Sequence, residues 1–180
     1  TLPMNYSYGL SIINTHLDVG ASIILTKQTL MQKEFWRQIK EYKATNFGGV
    51  PYAYEILKRL RFLRMDLPAL RYVTQAGGKL SPALCREYAE GCRALGKDFI
   101  VMYGATEATA RMSYVPLATA VEKAGSIGIA IPGGRFELIN DDGSLIDGPD
   151  KVGELVYYGN NVSMGYAEKS EDLSKPDERH

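Results

Sequence analysis

The sequence lacks an excess of either charge, with 21 lysines and arginines against 21 aspartates and glutamates. A neutral chain has no net attraction for the phosphates of nucleic acid or of an anionic membrane, so neither is expected as a partner. It also lacks an apolar run near the roughly 20 residues that a membrane helix needs. The opening residues, Thr1 to Asn5, have neither the basic nor the apolar part of a secretory leader. We therefore expect a cytoplasmic protein without a membrane span.

Cysteine is scarce, and the two that occur, Cys85 and Cys92, fall on one predicted helix. At roughly 1.5 Å of rise per residue they would lie about 10 Å apart, which is too far for a disulfide. We expect reduced, buried thiols in a cytoplasmic protein, with thiol catalysis as the alternative.

Apolar runs alternate with stretches of helical periodicity through the first part of the chain. This alternation is typical of a parallel sheet with helices on its faces, so we expect an α/β subdomain over residues 1–124. A loop is predicted at 2–10, strands at 21–26, 45–50, 70–75 and 99–102, and helices at 10–19, 30–43, from Pro51 onward, and from Pro82 with Ser81 as its cap.

The pattern changes after the first subdomain, over residues 125–180. Arg135–Ile139 alternates as a half-buried strand does, and Asn140–Gly143 has the composition of a hairpin turn. A further strand is predicted at 153–159. We therefore expect a portion of antiparallel β structure, followed by a charged tail from Glu168 to His180 that packs against nothing identifiable.

Glycines stand at or just after the ends of three successive predicted strands, at Gly48-Gly49, Gly77-Gly78 and Gly104. The carboxyl ends of parallel strands meet at one edge of a sheet, and glycine there lets a ligand approach the backbone. Val101–Glu107 adds an aromatic ring, a hydroxyl and a carboxylate at this edge. These groups can stack on a base, hold a phosphate oxygen and bind a hard cation, so the pattern predicts a nucleotide-like ligand.

Purely structural interpretations of the same residues remain open at this point. Tyr103 can be a core aromatic, since an aromatic at a strand end needs no ligand. Thr106 can cap a short helix in whose first turn Glu107 is favoured by the helix dipole.

Tyr103–Glu107 resembles the Y-G-x-T-E motif of the adenylate-forming (AMP-binding) superfamily, which includes acyl- and aryl-CoA synthetases, luciferases and peptide-synthetase adenylation domains. Further segments resemble family motifs in the family's order. They are the acyl-site loop in Leu2–Leu10, the G-S-x-G-x-x-x-P-G segment in Gly125–Gly133, and the G-E-L-x-x-x-G-x-x-V-x-x-G-Y segment in Gly153–Tyr166. The chain is therefore identified as acyl-CoA synthetase-like, part of the large N-terminal domain.

On the nucleotide side, the resemblance implies a role for each matching residue. Tyr103 would stack on adenine, and the backbone of Gly77 and Gly78 would line the same base. Thr106 would hydrogen-bond the α-phosphate, and Glu107 would bind the Mg²⁺ that bridges the phosphates of ATP. Thr106 and Glu107 are thus the implied catalytic residues.

On the acyl side, the resemblance implies a wall of small residues, Gly104 and Ala105, with Gly104 also counted among the nucleotide-binding positions. Tyr6 stands where the family often has a histidine, and an aromatic there could gate the pocket. An aryl or medium-chain acyl group would suit the aromatic side chains of Tyr6, Tyr8, Tyr52 and Tyr54.

The implied reaction has two steps. A carboxylic acid reacts with Mg·ATP to give acyl-AMP and pyrophosphate, and a thiol, usually that of CoA, then takes the acyl group. No phosphate loop with a lysine precedes residue 1, and neither a T-G-D segment nor a lid with its catalytic lysine follows Tyr166. Together with the absence of an initiator Met, this predicts a fragment of a longer parent that does not adenylate on its own.

Two alternatives stay open at this stage. One is an amino-acid-adenylating domain of a peptide synthetase, although Pro3–Gly9 lacks the acid that would hold a substrate ammonium. The other is a non-catalytic scaffold, although a scaffold has no need of Thr106 or Glu107.

Overall fold

The computed structural model of the protein describes residues 1–174. A five-stranded sheet has its strands side by side in the order in which they occur along the chain, and its first three strands are parallel. The α/β architecture expected from the alternating pattern is therefore confirmed. The parallel strands are β1 (Asn46–Gly49), β2 (Tyr72–Gln75) and β3 (Asp98–Tyr103), and the helices are α1 (Ser7–Asp18), α2 (Lys33–Glu41), α3 (Pro51–Arg59) and α4 (Pro82–Ala94).

Two short strands extend the sheet in the opposite direction. β4 (Ser113–Tyr114) pairs antiparallel with β3, and β5 (Ile129–Ala130) pairs antiparallel with β4. A separate antiparallel pair, β6 (Arg135–Ile139) and β7 (Glu154–Tyr158), follows. The division of the chain into two subdomains at residue 124 stays a prediction. β5 lies after this boundary in the sequence but belongs to the five-stranded sheet.

The core is formed by the sheet and the helices α2, α3 and α4, and it is rich in aromatic rings. Tyr54, Tyr88 and Phe99 are buried there, with the Tyr54 and Tyr88 ring centroids 5.0 Å apart in an edge-to-face arrangement. Each buried phenol finds a hydrogen-bond acceptor: Tyr54 donates to the Thr74 carbonyl at 2.7 Å and Tyr88 to the Tyr54 carbonyl at 3.0 Å. This packing holds β2 and β3 in place, and with them the carboxyl ends of these two strands.

The helix boundaries follow local rules where the sequence states them clearly. The Ser81 hydroxyl accepts from the Leu84 amide at 3.3 Å, and Pro82 occupies the first turn of α4. Gly96, just after the helix, has a positive φ of 66°. Ahead of α2, the Thr29 amide donates to the Gln32 side chain at 2.6 Å, which is one half of a capping box.

Two predictions near the amino terminus are wrong. Residues 21–26 form no strand: they have no regular secondary structure and no paired strand among the described residues, and Leu25 is 73% exposed. The predicted loop at 2–10 is also too long, because α1 begins at Ser7 and buries Tyr8 and Gly9. Sequence composition misled here because Tyr8, in the first turn of α1, is buried with its hydroxyl 2.7 Å from that of Thr74 in β2.

The carboxyl-terminal part ends in a short turn of 3₁₀ helix, Ser170–Ser174, within the predicted charged tail. The rest of that tail, 175–180, lies outside the described residues. Among residues 1–174, no helix is both long enough and apolar enough to cross a membrane.

Candidate functional site

A cavity of about 530 Å³ opens at the carboxyl ends of β2 and β3, beside the start of α1. Parallel strands place ligand sites at this edge. The predicted site residues converge here from three distant parts of the chain. All of them except Glu107 line the cavity, namely Tyr6, Gly77, Gly78, Tyr103, Gly104, Ala105 and Thr106.

One wall is the turn that follows β2. Gly77 and Gly78 have φ values of 77° and 154°, which residues with a side chain rarely adopt. A Cβ on Gly77 would also stand 2.6 Å from the Tyr6 hydroxyl oxygen. The buried amide of Gln75 donates to the Gly78 carbonyl at 2.9 Å and so fixes the turn. The backbone is thus exposed to the cavity and held still.

Another wall is the loop after β3, which doubles back on itself. A Cβ on Gly104 would lie 2.6 Å from the Ala110 carbonyl carbon and 2.9 Å from the Arg111 amide nitrogen. Thr109 and Ala110 both adopt the left-handed conformation, at φ 50° and 71°. Such residues store strain that the surrounding contacts must offset.

Tyr103 ends β3 and is not a core residue. Its side chain is 38% exposed, and it lies 6.5 Å, ring centroid to centroid, from Phe136 of β6. A partly exposed ring lining a cavity is free to stack on a flat ligand.

Thr106 opens a 3₁₀ turn, Thr106–Ala108, but does not cap it, since the cap position is Ala105 and no side-chain cap bond forms. Its hydroxyl instead lies 3.0 Å from that of Ser7 at the start of α1. The two hydroxyls therefore form a polar pair that joins α1 to the loop at the cavity wall.

Glu107 sits just outside the cavity lining, on an exposed turn. Its carboxylate accepts a hydrogen bond from the Tyr166 phenol, and this bond lowers the pKa of Glu107 and raises that of Tyr166. The Ser163 amide donates to the Glu107 carbonyl at 2.6 Å. The segment after β7 thus holds Glu107 at both its backbone and its side chain, in ionised form.

Asn161 fixes the same loop by a further set of hydrogen bonds. Its side-chain amide donates to the carbonyls of Ala108 and Arg111 at 2.7 and 2.8 Å, and its oxygen accepts from Tyr157 at 2.9 Å. These bonds close over the strained residues between the two carbonyls.

Sequence reasoning did not predict these roles of Ser7, Asn161 and Tyr166. Asn161 and Tyr166 lie within Gly153–Tyr166, which resembles a family motif. This resemblance is the signal in the sequence that points to these two residues. The loop residues that they hold are fifty or more positions away in the chain, so spacing in the sequence does not reveal these contacts.

The two cysteines are free and buried. Burial raises the pKa of both thiols, to about 11 for Cys92. Because the thiolate is the reactive form, this argues against the alternative of thiol catalysis.

The chain matches a known protein family along most of its length. The AMP-binding enzyme family matches residues 1–167 of the chain. The chain belongs to the AMP-binding enzyme family. The resemblance read from the motifs is thereby confirmed.

Curated members of the AMP-binding family resemble the chain along most of its length. It is 29% identical over 175 residues to an oxalate–CoA ligase of Arabidopsis thaliana and 31% identical over 168 residues to an indoleacetate–CoA ligase of Aromatoleum aromaticum. These matches cover 94% and 92% of the chain but only 33% and 32% of the relatives. The chain therefore spans about a third of the length of these curated relatives.

Solved structures support the fold assignment. The o-succinylbenzoate CoA synthetase of Bacillus subtilis, in complex with its acyl-adenylate intermediate, superposes with a TM-score of 0.80 at 21% identity. The match covers 98% of this chain and 35% of that one. The same enzyme has also been solved with ATP and magnesium ion. At this identity the likeness concerns the fold of the AMP-binding family.

Proposed function

We propose that the full-length protein is an AMP-forming ligase that activates a carboxylic acid and passes it to a thiol. In the first step a carboxylate oxygen attacks the α-phosphorus of ATP, the bond to the β-phosphate oxygen breaks, and pyrophosphate leaves. In the second step a thiolate, that of CoA, attacks the acyl carbon and AMP leaves. The observation that carries this proposal is the convergence of the separate family motifs on one cavity.

The nucleotide would lie across the cavity from the glycine turn to the loop after β3. The exposed ring of Tyr103 is available to stack on adenine, and the bare backbone of Gly77 and Gly78 leaves room for the base. The Thr106 hydroxyl, which lies 3.0 Å from that of Ser7, would hydrogen-bond the α-phosphate. In such phosphoryl transfers, positioning and charge stabilisation are the main contributions of the protein.

The described residues fit a magnesium ion that arrives with the nucleotide. No group of three or more His, Cys, Asp and Glu in residues 1–174 could hold a metal by itself. Mg²⁺ commonly binds one or two carboxylates together with substrate phosphates and waters. Glu107, ionised and held by Tyr166, supplies one such carboxylate. When bound, the ion would neutralise phosphate charge.

The relatives favour one thiol acceptor, but they do not select a particular carboxylic acid. The relatives named above are both CoA ligases, which favours CoA over a carrier-protein thiol. They act on different acids, so their names do not select one. No aspartate or glutamate lines the cavity among the described residues, so nothing there would hold a substrate ammonium. This favours an acid without an amino group over an amino-acid substrate.

A cytoplasmic setting belongs to the same proposal. Buried, free thiols are stable in a reducing compartment.

Acid-dependent exchange of pyrophosphate into ATP tests this function. We expect the full-length parent to catalyse the exchange with at least one member of a carboxylic acid panel. The isolated chain of 180 residues is expected not to do so. Lys79 is the only cationic side chain among the described residues that line the cavity, so a triphosphate would meet little positive charge there.

Robust exchange by the isolated chain would contradict the expectation that it is inactive alone. Absence of exchange by the parent with every acid would contradict the proposed function and favour a non-catalytic scaffold.

A further inference from the structure

Asn161 uses its whole side-chain amide to hold the loop after β3, residues 104–111. Its Nδ2 donates to the carbonyl of Ala108 at 2.7 Å and to that of Arg111 at 2.8 Å, while its Oδ1 accepts from the Tyr157 hydroxyl at 2.9 Å. An asparagine amide has two N–H hydrogens, and both are used here. Because carbonyl oxygens only accept, a carboxylate oxygen in place of Nδ2 could make neither contact.

The two carbonyls that Asn161 holds lie on either side of a strained part of the loop. Thr109 and Ala110 have φ values of 50° and 71°, a conformation that residues other than glycine keep only where the surrounding structure imposes it. Thr109 is exposed, so packing of its side chain contributes little to this. The hydrogen bonds from Asn161 bracket both residues and resist their relaxation.

The strained residues are joined directly to the cavity wall. The amides of Ala110 and Ala108 donate to the Ala105 carbonyl at 3.0 and 3.1 Å. The Ala110 carbonyl packs so closely on Gly104 that a Cβ there would stand 2.6 Å from its carbon. Gly104, Ala105 and Ala110 all line the cavity. Thr106 follows directly in the chain, so a shift of the clamped residues is transmitted to its hydroxyl.

The part of the proposed site that faces the base is anchored by other contacts. Tyr103 belongs to β3, where it pairs with Ser113 of β4, and its carbonyl accepts from the Met112 amide at 2.9 Å. The carbonyl of Gly78 is held by the Gln75 side chain at 2.9 Å. None of these contacts is made by Asn161. Loss of its amide should therefore disturb the phosphate end of the site and leave the base end in place.

We propose that Asn161 is a positioning residue for adenylation, which sets the place of the Thr106 hydroxyl at the α-phosphate. The inference rests on the proposed function and adds a residue to its machinery. Asn161 is not among the residues that line the cavity, so it acts through the backbone of the loop and not on the substrate. Without its two N–H donors, Thr109 and Ala110 relax out of the left-handed region and Thr106 loses its alignment.

The test compares Asn161→Asp with Asn160→Asp in the full-length parent. Both variants replace an amide by a carboxylate, but Asn160 is exposed and its side chain makes no hydrogen bond among the described residues. We expect Asn161→Asp to lower kcat for acid-dependent pyrophosphate exchange about 10- to 100-fold, as for displacement of reacting groups. Asn161→Ala, which removes the donors without adding a charge, should show the same loss. Asn160→Asp should match the wild type.

Calorimetric binding of adenosine and of AMP separates positioning from damage to the whole site. Adenosine probes the base end alone, whereas AMP also probes the phosphate end. Asn161→Asp and Asn161→Ala should bind adenosine with wild-type affinity. The gain in affinity from adenosine to AMP should shrink about 10-fold in both, as for loss of one hydrogen bond to a charged group.

Thr109→Gly supplies a rescue that follows from the strain in the loop. Glycine adopts a φ of 50° without strain, so the loop needs less help from Asn161 to keep its path. Thr109 does not line the cavity, so the substitution removes no contact with a ligand. Added to Asn161→Ala, it should recover about 3- to 10-fold of the lost kcat.

The outcomes separate the two proposals. If the wild-type parent neither exchanges pyrophosphate nor binds AMP, the adenylation function fails and the inference fails with it. If the wild type is active and both Asn161 variants match it, the inference alone is overturned. Equal loss of adenosine and AMP affinity in these variants would also overturn it, because the damage would then reach the base end. So would a double variant with Thr109→Gly that is no more active than Asn161→Ala alone.

Discussion

Replacement of Glu107 by glutamine is expected to lower pyrophosphate exchange by the full-length parent about 10²- to 10³-fold, the size of effect seen when one charge-stabilising group is removed from an active site. Glutamine keeps the shape and can still accept from Tyr166, but it has no negative charge for a magnesium ion. The loss should appear as a much higher requirement for Mg²⁺ as well as a lower maximal rate. Exchange measured across a magnesium titration gives both values.

A matched control is Glu90→Gln on the exposed face of α4. Glu90 has no ion pair among the described salt bridges and lies outside the cavity lining. The Glu90→Gln variant should leave both the rate of pyrophosphate exchange and its magnesium dependence unchanged. Equal behaviour of the two variants would show that Glu107 does not act on the phosphates.

Gly104→Ala is expected to reduce exchange by about 10²-fold, a typical cost of displacing reacting groups by about an ångström. The added Cβ would lie 2.6 Å from the Ala110 carbonyl carbon and 2.9 Å from the Arg111 nitrogen, both of which are backbone atoms. The loop must therefore move, and Thr106 and Glu107 move with it. Overpacking of this kind also costs about 1–3 kcal/mol of stability. Exchange and thermal unfolding should be measured on the same preparation.

Gly143→Ala serves as the control for loss of stability alone. Gly143 lies in the hairpin turn at a φ of 81°, with nothing within 4 Å of a Cβ, so alanine there is strained but touches no neighbour. It should lower the unfolding temperature while leaving exchange intact. If Gly104→Ala retains full exchange, the close packing of this loop is not needed for the chemistry.

The sequence predicts much of the fold because local signals agree with tertiary packing. The Ser81 cap, the proline after it and the apolar stripe of α4 all specify the same helix. Residues 21–26 show the opposite case. Their composition satisfies the rule for a buried strand, but a strand also needs a neighbour to accept its backbone hydrogen bonds, and no rule of composition supplies one.

The candidate site was predictable in its members but not in its supports. Motif order predicts Thr106 and Glu107 as site residues, and parallel-sheet geometry predicts the glycine turn at the same edge of the sheet. The hydrogen bonds from Asn161 and Tyr166 depend on how the segment after β7 folds over the loop, which is a tertiary property.

The central claim is that the cavity at the ends of β2 and β3 holds the nucleotide, with Tyr103 against the base. Calorimetric titration of the full-length parent with AMP tests it without knowledge of the acid. Tyr114 is the matched control, since it is 36% exposed against 38% for Tyr103 and does not line the cavity. We predict that Tyr103→Ala weakens AMP binding about 5- to 100-fold, as expected for loss of a stacked base, and that Tyr114→Ala leaves it unchanged. Wild-type affinity in both variants would contradict the account.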